Sequence, residues 1–167
     1  SSSAASHSQT VEYIKYGDFS QWVTRHLKES AVIGGKARTL YAIGPTATIE
    51  GNKAYKPQGG SPWATSNVYA KVAGVVKGSN AVFPYDRGNG NKCVKLATVM
   101  EHLKVLGLIN MHVMVTGSIF LGEMNEPLSS TSNAYSKFTM GMPYTKRPKC
   151  LVLDYKIDAP DTDTRVK

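Results

Sequence analysis

Aromatic side chains lie beside amide and charged side chains in two polar loops of this chain. An aromatic ring can stack on the C–H face of a sugar while amide and charged groups bind its hydroxyls. Sites of this kind commonly lie in loops that a rigid scaffold supports. The pattern therefore predicts a glycan-binding site built from the loops at 55–67 and 83–91. Its candidate residues are Tyr55, Trp63, Asn67, Tyr85, Asp86 and Arg87.

The same loops have structural alternatives that the sequence leaves open. Trp63 could close one end of the fold instead of facing a ligand. Tyr85 and its neighbours could form the solvated tip of a β-hairpin, in which one ion pair would contribute little to stability. The Gly-Asn-Gly-Asn run at 88–91 is not a phosphate-binding loop, because no Lys-Ser/Thr pair follows it at the start of a helix.

Two carboxylates, Glu123 and Glu126, suggest glycoside hydrolysis as an alternative function. Hydrolysis needs a general acid and a second carboxylate about 5 or about 6.5–9.5 Å away. A spacing of three residues within a loop does not establish that geometry. We therefore favour binding over catalysis, and the sequence assigns no catalytic residue.

Residues that bind transition metals are few in this sequence. It has two cysteines, Cys93 and Cys150, no Cys-x-x-Cys motif, and four histidines without metal-type spacing. We therefore predict no transition-metal site and no cofactor, while structural calcium held by carboxylates such as Asp18 and Asp154 stays open. Each cysteine begins a strand-like run, so a disulfide between neighbouring strands and a pair of buried free thiols both stay open.

The formal net charge of +8 arises from 20 Lys and Arg residues against 12 Asp and Glu residues. No five basic residues are adjacent and no basic helix is predicted, so we do not expect nucleic acid as a partner. The charge is compatible with solubility, with an acidic polysaccharide, or with a negatively charged membrane surface. No apolar run approaches the roughly 20 residues of a membrane-spanning helix.

Alternating apolar and polar residues predict an all-β chain that positions these loops. The longest predicted strand runs through 150–157, between two prolines, with its odd-numbered apolar residues facing the core. A short strand around Val11 and Tyr13 precedes a Gly-Asp-Phe turn that directs Phe19 and Trp22 inward. Other strands are predicted at 39–43, 46–50, 68–76, 93–100 and 110–121, with one helical turn within 101–109.

Three stretches resemble motifs of one family, the putative carbohydrate metabolism domain found in exported proteins of Bacteroides-type gut bacteria. They are SPWATSN at 61–67, GSIFLGE at 117–123, and PYTKRPK with the following strand at 143–156. The resemblance spans about residues 11–160. It implies a jelly-roll-like antiparallel β-sandwich in residues 11–167, similar to carbohydrate-binding modules. The polar, Ser-rich composition of residues 1–10 predicts a flexible linker before it.

The resemblance also implies where the protein acts and what completes it. Family members are exported, so we expect a cell-surface or outer-membrane location and a non-catalytic glycan-binding function. The family domain continues with a further long strand, so we expect another polypeptide, or a C-terminal part of the same protein, to complete the sandwich. The alternative is a structural or assembly domain of a surface lipoprotein complex with other envelope proteins, in which Trp63 and Tyr85 are interface anchors.

Overall fold

The computed structural model describes residues 10–55, 60–105, 109–129 and 138–159, so the predicted Ser-rich linker lies outside it apart from Thr10. Within these ranges the regular structure is β-strand except for one 3₁₀ turn at Ala31–Ile33. In the described part of the chain, no helix has the length and apolar character that crossing a membrane requires. The strands are β1 Trp22–Lys28, β2 Ala37–Ile43, β3 Ala47–Glu50, β4 Trp63–Thr65, β5 Val68–Val72, β6 Val75–Ser79, β7 Val82–Asp86, β8 Lys92–Leu96, β9 Thr98–Val105, β10 Ile109–Thr116, β11 Ile119–Met124 and β12 Phe138–Met140.

The described strands form five small sheets. Two sheets have three strands, in the orders β2-β1-β3 and β12-β11-β4, and the hairpins β5–β6, β7–β8 and β9–β10 form the other three. Every neighbouring pair is antiparallel except β1 and β3, which run parallel. The prediction of an all-β, sandwich-like fold built mainly of antiparallel pairs is confirmed.

One face of the sheet β2-β1-β3 packs against the β5–β6 hairpin. Leu27 of β1 and Leu40 of β2 are buried there together with Tyr69 and Val76 from the two strands of the hairpin. Burying a large aliphatic side chain contributes about 1.5–3 kcal/mol. Arg25 shares this face because it lies two residues before Leu27 on β1. A charged residue at this buried position requires a partner, which is described below.

The opposite face of the same sheet packs against β7. Trp22 and Ile43 are cross-strand partners, and they are buried together with Val82 of β7. Phe19 packs against the edge of this cluster. The predicted inward orientation of Phe19 and Trp22 is confirmed, and a turn at 15–18 precedes them.

Two regions of the chain are β-hairpins. One was expected to be a single strand, and the other was expected to be a loop. The predicted strand at 68–76 consists of β5 and β6, because Ala73 and Gly74 both have positive φ, 49° and 80°, and form a two-residue turn. The predicted loop at 83–91 contains most of β7 and the turn that leads into β8, in which Gly88, Asn89 and Gly90 also have positive φ. The alternative of a hairpin tip around Tyr85 is therefore the one that the structure adopts.

Gly117 divides the predicted strand at 110–121 into β10 and β11. An added Cβ at Gly117 would come within 2.8 Å of both the amide nitrogen and the carbonyl oxygen of Ala97, so only glycine fits. Ala97 in turn divides the predicted strand at 93–100 into β8 and β9. The helical turn predicted within 101–109 is wrong for the described residues, because β9 continues through Val105.

The predicted strand at 150–157 is wrong for the chain as it is described. No residue from 150 to 159 belongs to a strand, and Leu151 and Tyr155 are 77% and 75% exposed. The predicted strand at Val11 and Tyr13 is wrong as well, since both residues are exposed and outside any strand. Alternation makes a segment suitable for a sheet, but a strand also needs a neighbour that completes its backbone hydrogen bonds. No described strand supplies that neighbour to either segment.

Candidate functional site

The β7–β8 hairpin presents Tyr85 to solvent. Tyr85 is 52% exposed and pairs across the hairpin with Cys93, while Phe83 pairs with Lys95. Opposed residues, and residues two apart on one strand, share a face, so Tyr85, Phe83 and Lys95 lie on the same side. Phe83 packs against Tyr41 of β2 with the ring centroids 6.3 Å apart. The hairpin therefore carries an exposed aromatic ring and a lysine on an anchored backbone.

The turn of this hairpin is held by its own polar side chains. Asp86 accepts a 2.7 Å hydrogen bond from the backbone N–H of Gly88. The guanidinium of Arg87 donates a 3.0 Å hydrogen bond to Oδ1 of Asn91. These contacts fix the direction in which the tip projects, while Asp86 and Arg87 remain exposed.

The other predicted site residues surround a small cavity elsewhere in the fold. Tyr55, Trp63 and Asn67 line it together with Arg25 and Glu126, and no residue from β7 or β8 is among the described lining residues. The cavity volume is about 20 Å³. A space of that size holds a single water molecule and excludes a sugar ring. The two predicted loops therefore do not combine into one binding site.

An ion pair between Arg25 and Glu126 is the main polar feature beside this cavity, and each side chain is only 3% exposed. Arg25 donates two hydrogen bonds to the two carboxylate oxygens, at 3.0 and 2.6 Å. The backbone N–H groups of Tyr55 and Tyr69 donate two more, at 3.0 and 3.1 Å. A carboxylate has about four acceptor positions, and all of them are used here. Glu126 therefore holds the fold together, and it has no position left for a substrate proton.

Tyr55 covers the Arg25 side chain. The centroid of its ring lies 5.4 Å from the guanidinium carbon, which is within the range of a cation–π interaction. Burial raises the pKa of the Tyr55 hydroxyl, and the positive charge of Arg25 opposes that rise. Since the ring already packs on a buried cation, Tyr55 does not offer a free surface for a sugar.

Asn67 uses its whole amide group to bind backbone. Its Oδ1 accepts hydrogen bonds from the N–H groups of Ala81 and Val82 at 2.8 and 2.9 Å. Its Nδ2 donates to the carbonyl oxygens of Tyr41 and Val82, both at 2.8 Å. An amide side chain has two donor and two acceptor positions, so none remains for a sugar hydroxyl. Asn67 instead joins β2 to β7, the strand that carries Tyr85.

Trp63 also packs within the fold. Its ring meets that of Phe19 edge to face at a centroid distance of 5.2 Å. Its indole N–H donates a 3.0 Å hydrogen bond to the carbonyl oxygen of Lys15. The side chain packs in addition against the cluster that contains Trp22 and Ile43. These contacts favour the structural alternative, in which Trp63 closes one end of the fold.

An open groove of about 350 Å³ was not foreseen from the sequence. Its volume lies in the range of small-ligand sites, about 300–1,000 Å³, but its described lining contains no aromatic ring. Nearby, the Glu12 carboxylate accepts a 3.1 Å hydrogen bond from the hydroxyl of Tyr144 and pairs with Lys146. The hydrogen bond from Lys146 is the main cause that lowers the pKa of Glu12. The groove is lined by Lys15, Gly60, Ser61, Pro62, Gly141, Met142 and Pro143.

The remaining candidate residues for chemistry are dispersed. Cys93 is half-buried and Cys150 is exposed, and both are free thiols, so the structure fits neither a disulfide nor a pair of buried thiols. Glu123 is exposed on β11, whereas Glu126 is buried in its ion pair. Across the described ranges, no three His, Cys, Asp or Glu side chains lie close enough together to hold a metal ion.

The family described as putative carbohydrate metabolism domain matches residues 42–163 of the chain. The chain belongs to this family. The resemblance noted at 61–67, 117–123 and 143–156 is thereby confirmed, and membership indicates a carbohydrate-related role. The match includes every predicted site residue, whereas Arg25 precedes it. Comparisons with curated proteins and with solved structures give no match.

Proposed function

We propose that this chain is a non-catalytic module that binds an acidic glycan on the exposed face of the β7–β8 hairpin. The observation that carries the proposal is Tyr85, whose half-exposed ring shares its face with Lys95 and lies two residues before Arg87. An aromatic ring offers a stacking surface for a sugar, and the two cations can pair with carboxylate or sulfate groups. Family membership supports carbohydrate as the ligand class.

The environment of the carboxylates supports binding rather than hydrolysis. Glycoside hydrolysis needs one carboxyl group that can donate a proton and a second carboxylate at a defined distance. Glu126 accepts four hydrogen bonds in a buried ion pair, so it is not placed to exchange a proton with a substrate. Glu126 therefore does not serve as the second carboxylate for Glu123.

A glycan array followed by calorimetric titration tests the proposal. We expect binding to acidic glycans in the micromolar range, and Tyr85→Ala should weaken it about tenfold, because one aromatic contact contributes up to about 1.5 kcal/mol. Tyr13→Ala is the matched control, since Tyr13 is an exposed tyrosine outside the hairpin. Both variants should keep the melting temperature of the parent protein.

Salt dependence tests the role of Lys95 and Arg87. Exposed charges are screened over roughly 8–10 Å at physiological ionic strength, so affinity should fall steeply between low and physiological salt. The double variant Arg87→Ala/Lys95→Ala should bind weakly at both salt concentrations. Full binding by Tyr85→Ala, together with loss of binding by Lys15→Ala, would place the site in the groove and contradict the hairpin assignment.

We further propose that the protein acts outside the cell, as part of a Bacteroides-type surface lipoprotein attached to the outer membrane. This location is supported by the resemblance described above, since the family is found in exported proteins of Bacteroides-type gut bacteria. Antibody labelling of intact cells, and digestion of the protein by a protease added outside the cells, would test it. A protein that is protected until the cells are lysed would contradict the proposal.

A second candidate function, assembly with another polypeptide, is favoured by the segment at 150–157. Its apolar residues Leu151, Leu153, Tyr155 and Ile157 are all exposed, and no turn or bend interrupts the backbone there. Such a segment is suited to pair with an apolar β-strand of a partner chain, which would complete the sandwich. Hydrogen exchange on protein isolated from native envelopes should then show protected amides at 150–157. Fast exchange at these amides, with no companion chain in native mass spectrometry, would exclude assembly through this segment.

A further inference from the structure

Two histidines and two methionines form adjacent cross-strand pairs on one face of the β9–β10 hairpin. His102 is opposed to His112, and Met100 is opposed to Met114. Residues two apart along a strand share a face, so the four side chains lie on the same side of the hairpin. All four are exposed, and the two methionines are 63% and 65% exposed. Packing within the described chain therefore does not account for this group of residues.

The two imidazoles lie side by side. Their rings stack with centroids 4.0 Å apart and planes inclined by 20°, so one ring must turn out of the stack before both can direct a nitrogen lone pair at the same ion. Nε2 of His102 lies 2.9 Å from Oδ1 of Asn110. Because an amide oxygen can only accept, Nε2 carries the hydrogen, and Nδ1 of the neutral ring keeps its lone pair. A hydrogen bond to the non-coordinating nitrogen is the usual way in which a metal-binding histidine is oriented.

The spacing of the two pairs suits a single ion. Opposed residues have Cβ atoms about 4.5–5.5 Å apart, and residues two apart on a strand are separated by about 6.5–7 Å. An ion above the centre of this rectangle therefore lies roughly 4–5 Å from each Cβ atom. Imidazole and thioether side chains can both span that distance.

The opposite face of the hairpin contains the nearby carboxylate. Glu101 is largely buried there, 3.2 Å from Nζ of Lys77 and 3.6 Å from the guanidinium of Arg38. These ion pairs anchor β9 to the rest of the fold and direct the carboxylate away from the histidines. The ligand groups of His102 and Met100 therefore belong to a face without a described carboxylate.

We propose that this face binds Cu(I) through the imidazoles of His102 and His112 and the thioethers of Met100 and Met114. Soft thioether ligands favour Cu(I), whereas Ca²⁺ and Mg²⁺ prefer oxygen ligands and structural Zn²⁺ sites use thiolates or carboxylates with histidine. The four ligands are neutral, so the site would gain one positive charge, which repels the net charge of +8 less than a divalent ion does. This site is independent of the glycan-binding hairpin.

The sequence did not suggest this site, because its histidines lack the spacing of a metal motif. The register of the hairpin brings His102 and His112 together, and that register is visible only in the folded chain. Met100 and Met114 complete the set for the same reason.

The test is an anaerobic titration of the folded chain with Cu(I) in competition with a colorimetric Cu(I) chelator. Thiolates bind Cu(I) as well, so the parent for all comparisons is the variant Cys93→Ser/Cys150→Ser. We expect this parent to bind one equivalent of Cu(I) and to keep the circular dichroism spectrum of the unsubstituted protein. No detectable competition with the chelator by this folded parent would overturn the proposal.

Two double variants test the ligands themselves. His102→Asn/His112→Asn and Met100→Leu/Met114→Leu should each weaken Cu(I) binding by at least about 10–100-fold, the loss that even an outer-shell partner causes. Both keep exposed side chains of similar size, so their melting temperatures should match that of the parent. Affinity for Cu(I) that is insensitive to the methionine substitutions would overturn the proposed thioether ligation.

The control variants are His26→Asn and Met142→Leu, since His26 pairs with Glu50 and Met142 lines the groove. Both should bind Cu(I) like the parent. Cu(I) is diamagnetic, so methyl NMR offers a second readout, in which the signals of Met100 and Met114 should shift and that of Met142 should not. Equal shifts at all three methionines would show unspecific binding and contradict the proposed site.

Discussion

Replacing Glu126 by glutamine should destabilise this protein strongly, because it leaves the Arg25 guanidinium buried without a counter-charge. Both side chains are 3% exposed, so solvent cannot replace the lost carboxylate. Nε of Arg25 already has no described hydrogen-bond partner. Glutamine keeps the size and shape of glutamate, so the change removes charge and one acceptor without opening a cavity.

The expected loss follows from the contacts of the carboxylate. Removing one member of a buried ion pair costs about 3–5 kcal/mol. The amide nitrogen of glutamine cannot accept a hydrogen bond, so the N–H of Tyr55 or Tyr69 also loses its acceptor, at about 1–3 kcal/mol. These two costs overlap, and we expect a net loss of about 4 kcal/mol. That is a large part of the roughly 5–15 kcal/mol that stabilises an ordinary domain.

Urea titration followed by tryptophan fluorescence and circular dichroism measures this loss. Glu50→Gln is the matched control, because Glu50 contacts His26 at 2.7 Å on the exposed surface and should contribute less than about 1 kcal/mol. The double variant Arg25→Met/Glu126→Gln should recover part of the stability, because it removes the unpaired charge. A loss below about 1 kcal/mol for Glu126→Gln, at an unchanged urea slope, would refute the assignment of a buried ion pair.

Three further changes test the fold and its surface. Gly117→Ala should prevent stable folding, because the new Cβ would meet neighbouring backbone at 2.8 Å. Gly74→Ala is the control, because a Cβ there meets no atom within 4 Å. In a thermal melt, Gly74→Ala should still behave as a folded protein. Trp63→Ala should lower the free energy of unfolding by about 3–5 kcal/mol, and an unchanged urea midpoint would mean that the indole faces a ligand. An NMR titration should give Glu12 a pKa below that of an ordinary glutamate, and Lys146→Met should raise it, because the hydrogen bond from Lys146 is what lowers it. A Glu12 midpoint that does not respond to Lys146→Met would contradict that contact.

Local sequence signals predict the strands whose ends are marked by turn residues. Gly-Pro at 44–45 and Gly-Asn at 51–52 bound the predicted strands at 39–43 and 46–50, and the structure has β2 and β3 there with ends shifted by no more than two residues. The turn between β5 and β6 is missed, because Ala73 is not a turn residue by type and adopts positive φ only in its fold context. Residue type and composition therefore do not predict a positive φ at a residue such as Ala73.

Local sequence patterns do not predict the buried ion pair between Arg25 and Glu126. The two residues are 101 positions apart, and no local pattern joins them. One signal was present, since Val23, Arg25 and Leu27 alternate along β1 and place an arginine on an otherwise apolar face. The segment at 150–157 shows the converse, because its alternation is clear but no described strand pairs with it. Pattern indicates which face a residue can occupy, and long-range pairing decides whether that face is buried.

Asn67 connects the fold to the proposed glycan surface, since its amide joins β2 to β7. A two-stranded hairpin is only marginally stable alone, so contacts of this kind decide how firmly the β7–β8 hairpin is held. Asn67→Asp keeps the acceptor for Ala81 and Val82 but removes the donors to the carbonyl oxygens of Tyr41 and Val82.

We therefore expect Asn67→Asp to destabilise the protein by about 1–3 kcal/mol for each buried group left unpaired. Faster hydrogen exchange along β7 should accompany weaker glycan binding in this variant, because the hairpin that carries Tyr85 loses its support. Tyr85→Ala should instead lose binding while β7 remains protected. If Asn67→Asp loses binding with β7 amides as protected as in the parent, Asn67 contacts the ligand directly and its assignment as a positioning residue is wrong.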